Sequence, residues 1–162
     1  MPTSATSSAR TAKPPDKPAA VTVQFACAGR GLPAAARFRA WARRAAGGPA
    51  TLVIRLVTGA EARALNAAYR GADYAPSVLS FAYGKSPLAG DVVLCPRIVA
   101  REAREQGKPL AAHFAHLTVH GVLHLRGYRH ARARDAMRME RAEIRILRSL
   151  GIADPYRAER GG

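Results

Sequence analysis

The chain has 162 residues, of which 48% are hydrophobic, and its 26 Lys and Arg against 11 Asp and Glu give a formal net charge of +15 at pH 7. This length suits one domain with a buried core, and no apolar run approaches the roughly 18 residues of a membrane span, so a membrane protein is excluded. The charge favours an anionic partner, above all nucleic acid, although a GC-rich genome also enriches arginine.

Residues 1–20 are small, polar and proline-bearing, and they lack a hydrophobic face. We predict a disordered N-terminal tail there, a single folded domain over residues 21–157 and a short tail over 158–162. The first tail has no apolar segment typical of a secretory signal and only a weak likeness to an organellar transit peptide. Cys27 and Cys95 are isolated in apolar stretches, which predicts buried thiols in a reducing, cytoplasmic compartment.

Hydrophobic patterning predicts four strands and five helices. Runs of β-branched residues indicate strands, whereas a proline or a Thr–Glu capping box indicates where a helix begins. The predicted strands are 21–28, 51–57, 77–83 and 90–95, and the predicted helices are 33–46, 58–70, 96–106, 109–125 and 133–150. The strands do not alternate regularly with helices, and no Rossmann or P-loop motif occurs. We therefore predict an α+β fold, with a small mixed sheet of about four strands packed against about five helices.

The helix predicted over 109–125 is apolar nearly all round, so we expect it to lie buried in the middle of the domain. His116, His120 and His124 fall on one stripe of this helix. An unpaired polar group in such a place costs roughly 1–3 kcal/mol, so these histidines need partners. We interpret His116 and His113 as structural histidines with protein partners and leave both out of the metal-ligand set.

The segment HGVLHLRGYRH predicts a metal site on this central helix and the turn that follows it. His120 and His124 are one helical turn apart and can face one ion. Gly127 can take the left-handed conformation that ends a helix, which lets His130 return toward the pair. Three imidazoles with an open fourth position favour one zinc ion, with nickel, copper or another divalent ion as competitors.

The same spacing occurs in metzincin peptidases, H-E-x-x-H-x-x-G-x-x-H, so a metallopeptidase is an alternative. Those enzymes carry a general-base glutamate directly after the first histidine. Here that position is Gly121, which cannot accept a proton. The pattern keeps the ligands and lacks the peptidase base.

The last predicted helix carries a narrow stripe of five arginines. Met137, Ile144 and Leu147 are predicted to face inward from it. The stripe is either a contact for a phosphate backbone or a solvated face that nearby acids partly neutralise. The arginines are Arg134, Arg138, Arg141, Arg145 and Arg148, and the acids are Asp135, Glu140 and Glu143.

Four blocks in order resemble the YbeY family of metal-dependent rRNA maturation endoribonucleases. They are LNAAYRGADYAPSVLSF (65–81), GDVVL (90–94), EQGKPLAAHFAHLTVHG (105–121) and HGVLHLRGYRH (120–130). The likeness covers about residues 21–157. It implies an α+β fold and cleavage of single-stranded RNA. It further implies work on the 16S rRNA 3′ end and in ribosome quality control, with the small ribosomal subunit and assembly proteins as partners.

The resemblance implies that His120, His124 and His130 bind zinc and that Arg70 is the catalytic or RNA-positioning residue. Without the resemblance, Arg70 would be interpreted as a cation near a helix C-terminus. A guanidinium beside a metal can clamp a phosphate oxygen and stabilise charge that grows during phosphoryl transfer.

The chain departs from the family pattern at two places. Arg129 replaces the usual Asp before the third histidine, and Pro76 and Ser77 replace a Thr-Asp pair. A cation at Arg129 either weakens metal binding by repulsion or adds a phosphate contact. The activator of the nucleophile stays open between a metal-bound hydroxide, a ribose 2′-OH and Asp91. Apart from a peptidase, the alternative function is a non-catalytic ribosome-binding factor that zinc stabilises.

Overall fold

Four strands form one mixed sheet in the computed structural model, which describes residues 19–157. The strands are β1 (Ala20–Ala26), β2 (Ala50–Val57), β3 (Val78–Lys85) and β4 (Leu88–Leu94). The spatial order is β1-β2-β4-β3, in which β1, β2 and β4 are parallel and β3 pairs antiparallel with β4. Because parallel neighbours need crossover connections, helical segments lie between β1 and β2 and between β2 and β4.

Within residues 19–157, five helices accompany the sheet, which confirms the predicted α+β fold. They are α1 (Ala35–Ala46), α2 (Gly59–Arg70), α3 (Pro96–Gln106), α4 (Leu110–Leu125) and α5 (Ala133–Ser149). The predicted N-terminal tail extends two residues too far, because Ala19 is buried and Ala20 begins β1. The rest of that tail and the tail predicted over 158–162 lie outside the described residues. Among residues 19–157, no helix is both long enough and apolar enough to cross a membrane.

Helix α4 lies at the centre of the fold, as its sequence predicted. It contacts β3 and β4 of the sheet as well as α1, α3 and α5. Two glycines allow the close approach of α4 to the sheet. A Cβ on Gly121 would lie 2.6 Å from Val92 Cγ1, and a Cβ on Gly90 would lie 2.7 Å from Leu125 Cδ2. Since real side chains essentially never pack that closely, any larger residue at either position would push α4 away from β4.

The end of α4 redirects the chain in the way that Gly127 predicted. Gly127 has φ +103°, a left-handed conformation that glycine adopts without a Cβ penalty. The backbone N–H of Tyr128 donates to Leu123 O at 3.0 Å, and that of Gly127 donates to His124 O at 3.0 Å. This pair of hydrogen bonds is a Schellman motif, which ends the helix and satisfies two of its last carbonyls. The following residues, including His130, therefore fold back toward α4.

The inward face of α5 differs from the predicted one. Met137 is 53% exposed, so the prediction that it faces the core is wrong. The buried face consists of Met139, Ala142, Glu143, Ile146 and Leu147. These positions follow the spacing of one helical face, and Met137 lies about 200° around the axis from Met139. The prediction for Leu147 is confirmed, and the buried face contains one acid, Glu143.

Candidate metal centre

The structure brings His120, His124 and His130 together at the C-terminal end of α4. Their ring nitrogens all lie within 4.8 Å of one another. The Nε2 atoms of His120 and His124 are 3.1 Å apart, and the ring centroids of His124 and His130 are 4.8 Å apart. His120 and His124 are half-buried and His130 is exposed, so the group is open to solvent on one side.

Hydrogen bonds on the far side of two rings determine which nitrogen faces the centre. His120 Nδ1 lies 2.5 Å from the Glu143 carboxylate, and His124 Nδ1 lies 3.0 Å from Tyr128 O. A carbonyl and a carboxylate only accept, so both Nδ1 atoms carry the proton. Both Nε2 atoms then present lone pairs to each other at 3.1 Å. Two facing lone pairs repel unless a cation lies between them, so this donor set fits a metal ion.

The protonation state of His124 suits the same interpretation. Burial lowers the pKa of His124 to about 4, and the nearby His120 and His130 add to the effect. His124 is therefore neutral at pH 7. Only a neutral imidazole has the free lone pair that binds a metal ion.

Glu143 is a fully buried acid that contacts His120 on the side of the ring that faces away from His124. Its carboxylate accepts hydrogen bonds from His120 Nδ1 and from the Tyr156 hydroxyl, and it lies 3.4 Å from His116 Nε2. Burial alone would raise the pKa of Glu143, but the neighbouring His116 and His120 rings outweigh burial and lower the pKa to about 2. The carboxylate is thus ionised and orients the His120 ring.

Sequence reasoning missed this role, because it placed Glu143 among the acids that neutralise the arginine stripe. The missed signal is helical spacing. Glu143 is four residues after Met139 and four before Leu147, and both of these residues are buried. An acid on the apolar stripe of a helix next to a histidine cluster indicates a partner for a ligand imidazole.

We predict that Glu143→Gln weakens metal binding about 10–100-fold, since the amide lacks the charge that raises the basicity of the His120 ring. Competition with a chromophoric chelator measures the dissociation constant. Glu140→Gln, on a half-buried position of the same helix, is the matched control and should bind metal like the original protein. Tyr156→Phe keeps the bond between Glu143 and His120 and should have a smaller effect. Equal affinity for the Glu143 and Glu140 variants would contradict the role given to Glu143.

His113 and His116 each have the protein partner that their sequence context predicted. His113 Nε2 lies 2.9 Å from Glu102 Oε1, and His116 Nε2 lies 3.2 Å from the Tyr156 hydroxyl. Both rings are buried, and within residues 19–157 their Nδ1 atoms have no hydrogen-bond partner. His116, His120 and Glu143 also meet closely enough to be a second possible metal group. Because Glu143 already accepts the Nδ1 proton of His120, we interpret that group as a hydrogen-bonded support.

The three-histidine group opens into a cleft of about 760 Å³. Arg70, Lys85 and Arg129 also line this cleft, and no Asp or Glu of the described chain does. Three cations without a carboxylate give the cleft a positive potential, which a bound divalent ion would increase. Such a cleft attracts an anionic substrate.

Arg70 is the last residue of α2, and its guanidinium reaches across to the sheet. Its Nη2 donates to Ser80 O at 2.9 Å, and its Cζ lies 6.0 Å from the centroid of the Phe81 ring. The Ser80 hydroxyl in turn donates to Gly121 O at 2.9 Å. Ser80 thus ties Arg70 to the helix that carries the histidines. The structure places Arg70 in the same cleft as the three histidines, with guanidinium N–H groups left for an anion.

Two other residues considered from the sequence lie away from the cleft. Gly121 faces Val92 of β4, so a glutamate there would point into the sheet. Asp91 lies on the opposite face of β4 from Val92, where it accepts a hydrogen bond from the Tyr83 hydroxyl at 2.6 Å. Asp91 does not line the cleft and is therefore not placed to activate the nucleophile there.

The departures from the family pattern lie at the cleft or beside it. Pro76 and Arg129 line the cleft. Ser77 is half-buried, and its carbonyl accepts a backbone hydrogen bond from Cys95 at 3.0 Å.

Of the two cysteines, Cys95 is buried as predicted and Cys27 is half-buried, and both are free thiols.

The family profile described as Endoribonuclease YbeY matches residues 34–151, which include Arg70 and all three histidines. The chain belongs to the YbeY family. Endoribonuclease YbeY of Thiobacillus denitrificans is 52% identical over 139 residues, which cover 84% of this chain and 95% of that relative. Endoribonuclease YbeY of Alkalilimnicola ehrlichii is 54% identical over 150 residues, which cover 85% of this chain and 90% of that relative.

A solution structure of a Thermotoga maritima protein has a similar fold, with a TM-score of 0.55 and 22% sequence identity. The similarity covers 80% of this chain and 91% of that protein. At this identity the likeness concerns the fold alone. The resemblance seen in the sequence blocks is thus confirmed as membership of the YbeY family.

Proposed function

We propose that this YbeY-family chain is a divalent-metal-dependent endoribonuclease that cleaves single-stranded RNA. One observation carries the proposal: three imidazoles converge in a cleft that Arg70, Lys85 and Arg129 also line and that contains no acid of the described chain. The name of the relatives, endoribonuclease, agrees with this chemistry.

The side chains of the cleft have separate roles in metal binding and in phosphate binding. His120, His124 and His130 would hold the metal, which we propose to be zinc, with nickel as a competitor. A bound divalent ion supplies a Lewis acid that polarises a phosphate oxygen and lowers the pKa of water. Arg70 donates N–H bonds to another phosphate oxygen and stabilises the charge that grows on it. Lys85 attracts the RNA backbone.

An exposed aromatic ring in the cleft favours single-stranded over duplex RNA. Tyr74 lines the cleft and is 61% exposed. Unpaired bases stack on such rings, whereas the bases of a duplex are already stacked on each other. We therefore propose that a base beside the scissile phosphate stacks on Tyr74.

Family membership also supports a finer proposal about biological context. We propose that the chain acts in rRNA maturation at the 16S rRNA 3′ end and in ribosome quality control in the cytoplasm. Its partners would then be the small ribosomal subunit and assembly proteins. The net charge of +15 is compatible with such RNA-rich partners.

We predict that the metal-loaded protein cleaves a labelled single-stranded RNA and that a chelator abolishes this cleavage. Duplex RNA of the same sequence should be cut at least about tenfold more slowly, because its bases cannot reach Tyr74. Adding back zinc should restore activity. RNA binding without chelator-sensitive cleavage would favour the ribosome-binding factor, and chelator-sensitive casein hydrolysis would favour a peptidase.

A further inference from the structure

A second cavity of about 240 Å³ adjoins the metal cleft at the turn after α4. It is lined by Arg126, Gly127, Tyr128, Arg129, Asp135 and Arg138, and we call it the arginine cavity. Arg129 lines both the arginine cavity and the metal cleft. The two spaces therefore share one lining residue, and it is the residue that replaces the usual Asp of the family.

The charges of the arginine cavity favour an anion. Three arginines and only one acid, Asp135, line the cavity, and none of the three arginines forms an ion pair within residues 19–157. Arg126 is fixed in place, since its Nη1 donates to Ala45 O at 2.8 Å and its Cζ lies 5.7 Å from the Tyr128 ring centroid. Arg129 has one long contact, from Nη1 to Tyr128 O at 3.4 Å, so most of its donors face solvent.

The arginine stripe of α5 continues from this cavity. Arg138 belongs to both, and all five arginines of the stripe are exposed. The sequence left open whether nearby acids neutralise the stripe. Glu143 does not, because it is fully buried and bonded to His120 and Tyr156. The stripe therefore has fewer compensating acids than its sequence indicated.

We propose that the arginine cavity and the α5 stripe form one track for the phosphate backbone of single-stranded RNA, on one side of the cleavage site. Arg129 joins this track to the metal cleft. The inference rests on the proposed function and extends it, because it says where the RNA that flanks the scissile phosphate lies. Guanidinium groups that present several N–H donors suit successive phosphates without reading the bases.

The test compares two labelled RNAs, one just long enough to fill the metal cleft and one extended by several nucleotides at either end. Fluorescence anisotropy of the metal-loaded protein gives their dissociation constants across a range of salt concentrations. For the original protein we expect the longer RNA to bind more tightly. For Arg138→Ala and Arg129→Asp we expect the longer RNA to lose at least about threefold in affinity, and the slope of log affinity against log salt to fall by about 1 for each lost phosphate contact.

Arg101→Ala is the matched control, because Arg101 is an exposed arginine of α3 that pairs with Glu105 and lines neither cavity. It should bind both RNAs like the original protein. If Arg138→Ala and Arg129→Asp retain the full advantage of the longer RNA and the original salt slope, the track is wrong. Chelator-sensitive cleavage by the original protein and by Arg138→Ala, whose residue does not line the metal cleft, decides the proposed function separately. A negative result for the track therefore leaves the test of the endoribonuclease function intact, and the reverse also holds.

Discussion

Replacing His124 with alanine is expected to remove the bound metal and to lower RNA cleavage by at least about 10³-fold. His124 is the central member of the group, because its Nε2 lies 3.1 Å from that of His120 and its ring centroid lies 4.8 Å from that of His130. A catalytic metal contributes several kcal/mol to the transition state, and each 1.36 kcal/mol corresponds to about a factor of ten in rate. Metal content per chain and the cleavage rate are measured on the same preparation.

His113→Gln is the control for this variant. His113 lies on the same helix and is also buried, yet it bonds to Glu102 and does not line the metal cleft. Its replacement is expected to cost stability and to leave the metal content at the original level. If His124→Ala keeps both its metal and its activity, the ion is held elsewhere and the three-histidine site is wrong. If it loses metal and keeps activity, the reaction does not depend on the ion.

The features of this centre that could be predicted from sequence are those fixed by local geometry. One helical turn separates His120 from His124, and a left-handed glycine at Gly127 ends the helix, so the return of His130 follows from nearby residues alone. The positions of the four strands and the buried position of α4 also followed from hydrophobic patterning. In each case, residues close in the chain determine the outcome.

The features that could not be predicted depend on contacts between distant elements. Arg70 is in the cleft because α2 ends beside β3, where Ser80 accepts its hydrogen bond. Nothing in the spacing of Arg70 distinguishes it from the other arginines, and only the family resemblance indicated it. Asp91 stayed open as an activator because the helix motif has no carboxylate and the sequence does not show which face of β4 packs on α4. Val92 packs against Gly121, so Asp91 must point the other way.

Glu143 is an intermediate case, because its helical spacing indicates burial whereas the surrounding arginines favour a solvated acid. Acids on a helix with many arginines are usually solvated partners of those arginines. Here the helical phase places Glu143 with Met139 and Ile146 on the buried face. A buried ionised carboxylate is costly unless hydrogen bonds satisfy it, and His120 and Tyr156 meet that need. Glu143 therefore links the three-histidine group to the buried face of α5.

Arg70→Ala is expected to lower the rate of RNA cleavage about 10²–10³-fold while the metal content stays unchanged. Arg70 lines the cleft and is not among the possible ligands, so its loss should affect the charge that grows on the phosphate and not the ion. Arg70→Lys keeps the charge but lacks the planar fork that gives a bidentate bond, so we expect it to recover only part of the rate. Single-turnover cleavage at saturating RNA separates this effect from binding.

Arg63→Ala is the matched control, because Arg63 belongs to the same helix but pairs with Asp73 on the surface. Its side chain is 60% exposed and does not line the cleft, so the variant should cleave RNA like the original protein. If Arg70→Ala cleaves at the original rate and only its RNA affinity falls, Arg70 positions the substrate and does not act in the chemical step. If neither quantity changes while the metal stays bound, Arg70 serves only to tie α2 to β3 through Ser80. The combined measurement of rate, affinity and metal content thus distinguishes three roles of Arg70: transition-state stabilisation, substrate positioning and a structural tie. Only a lower rate with unchanged metal content agrees with an endoribonuclease that uses a guanidinium to stabilise its transition state.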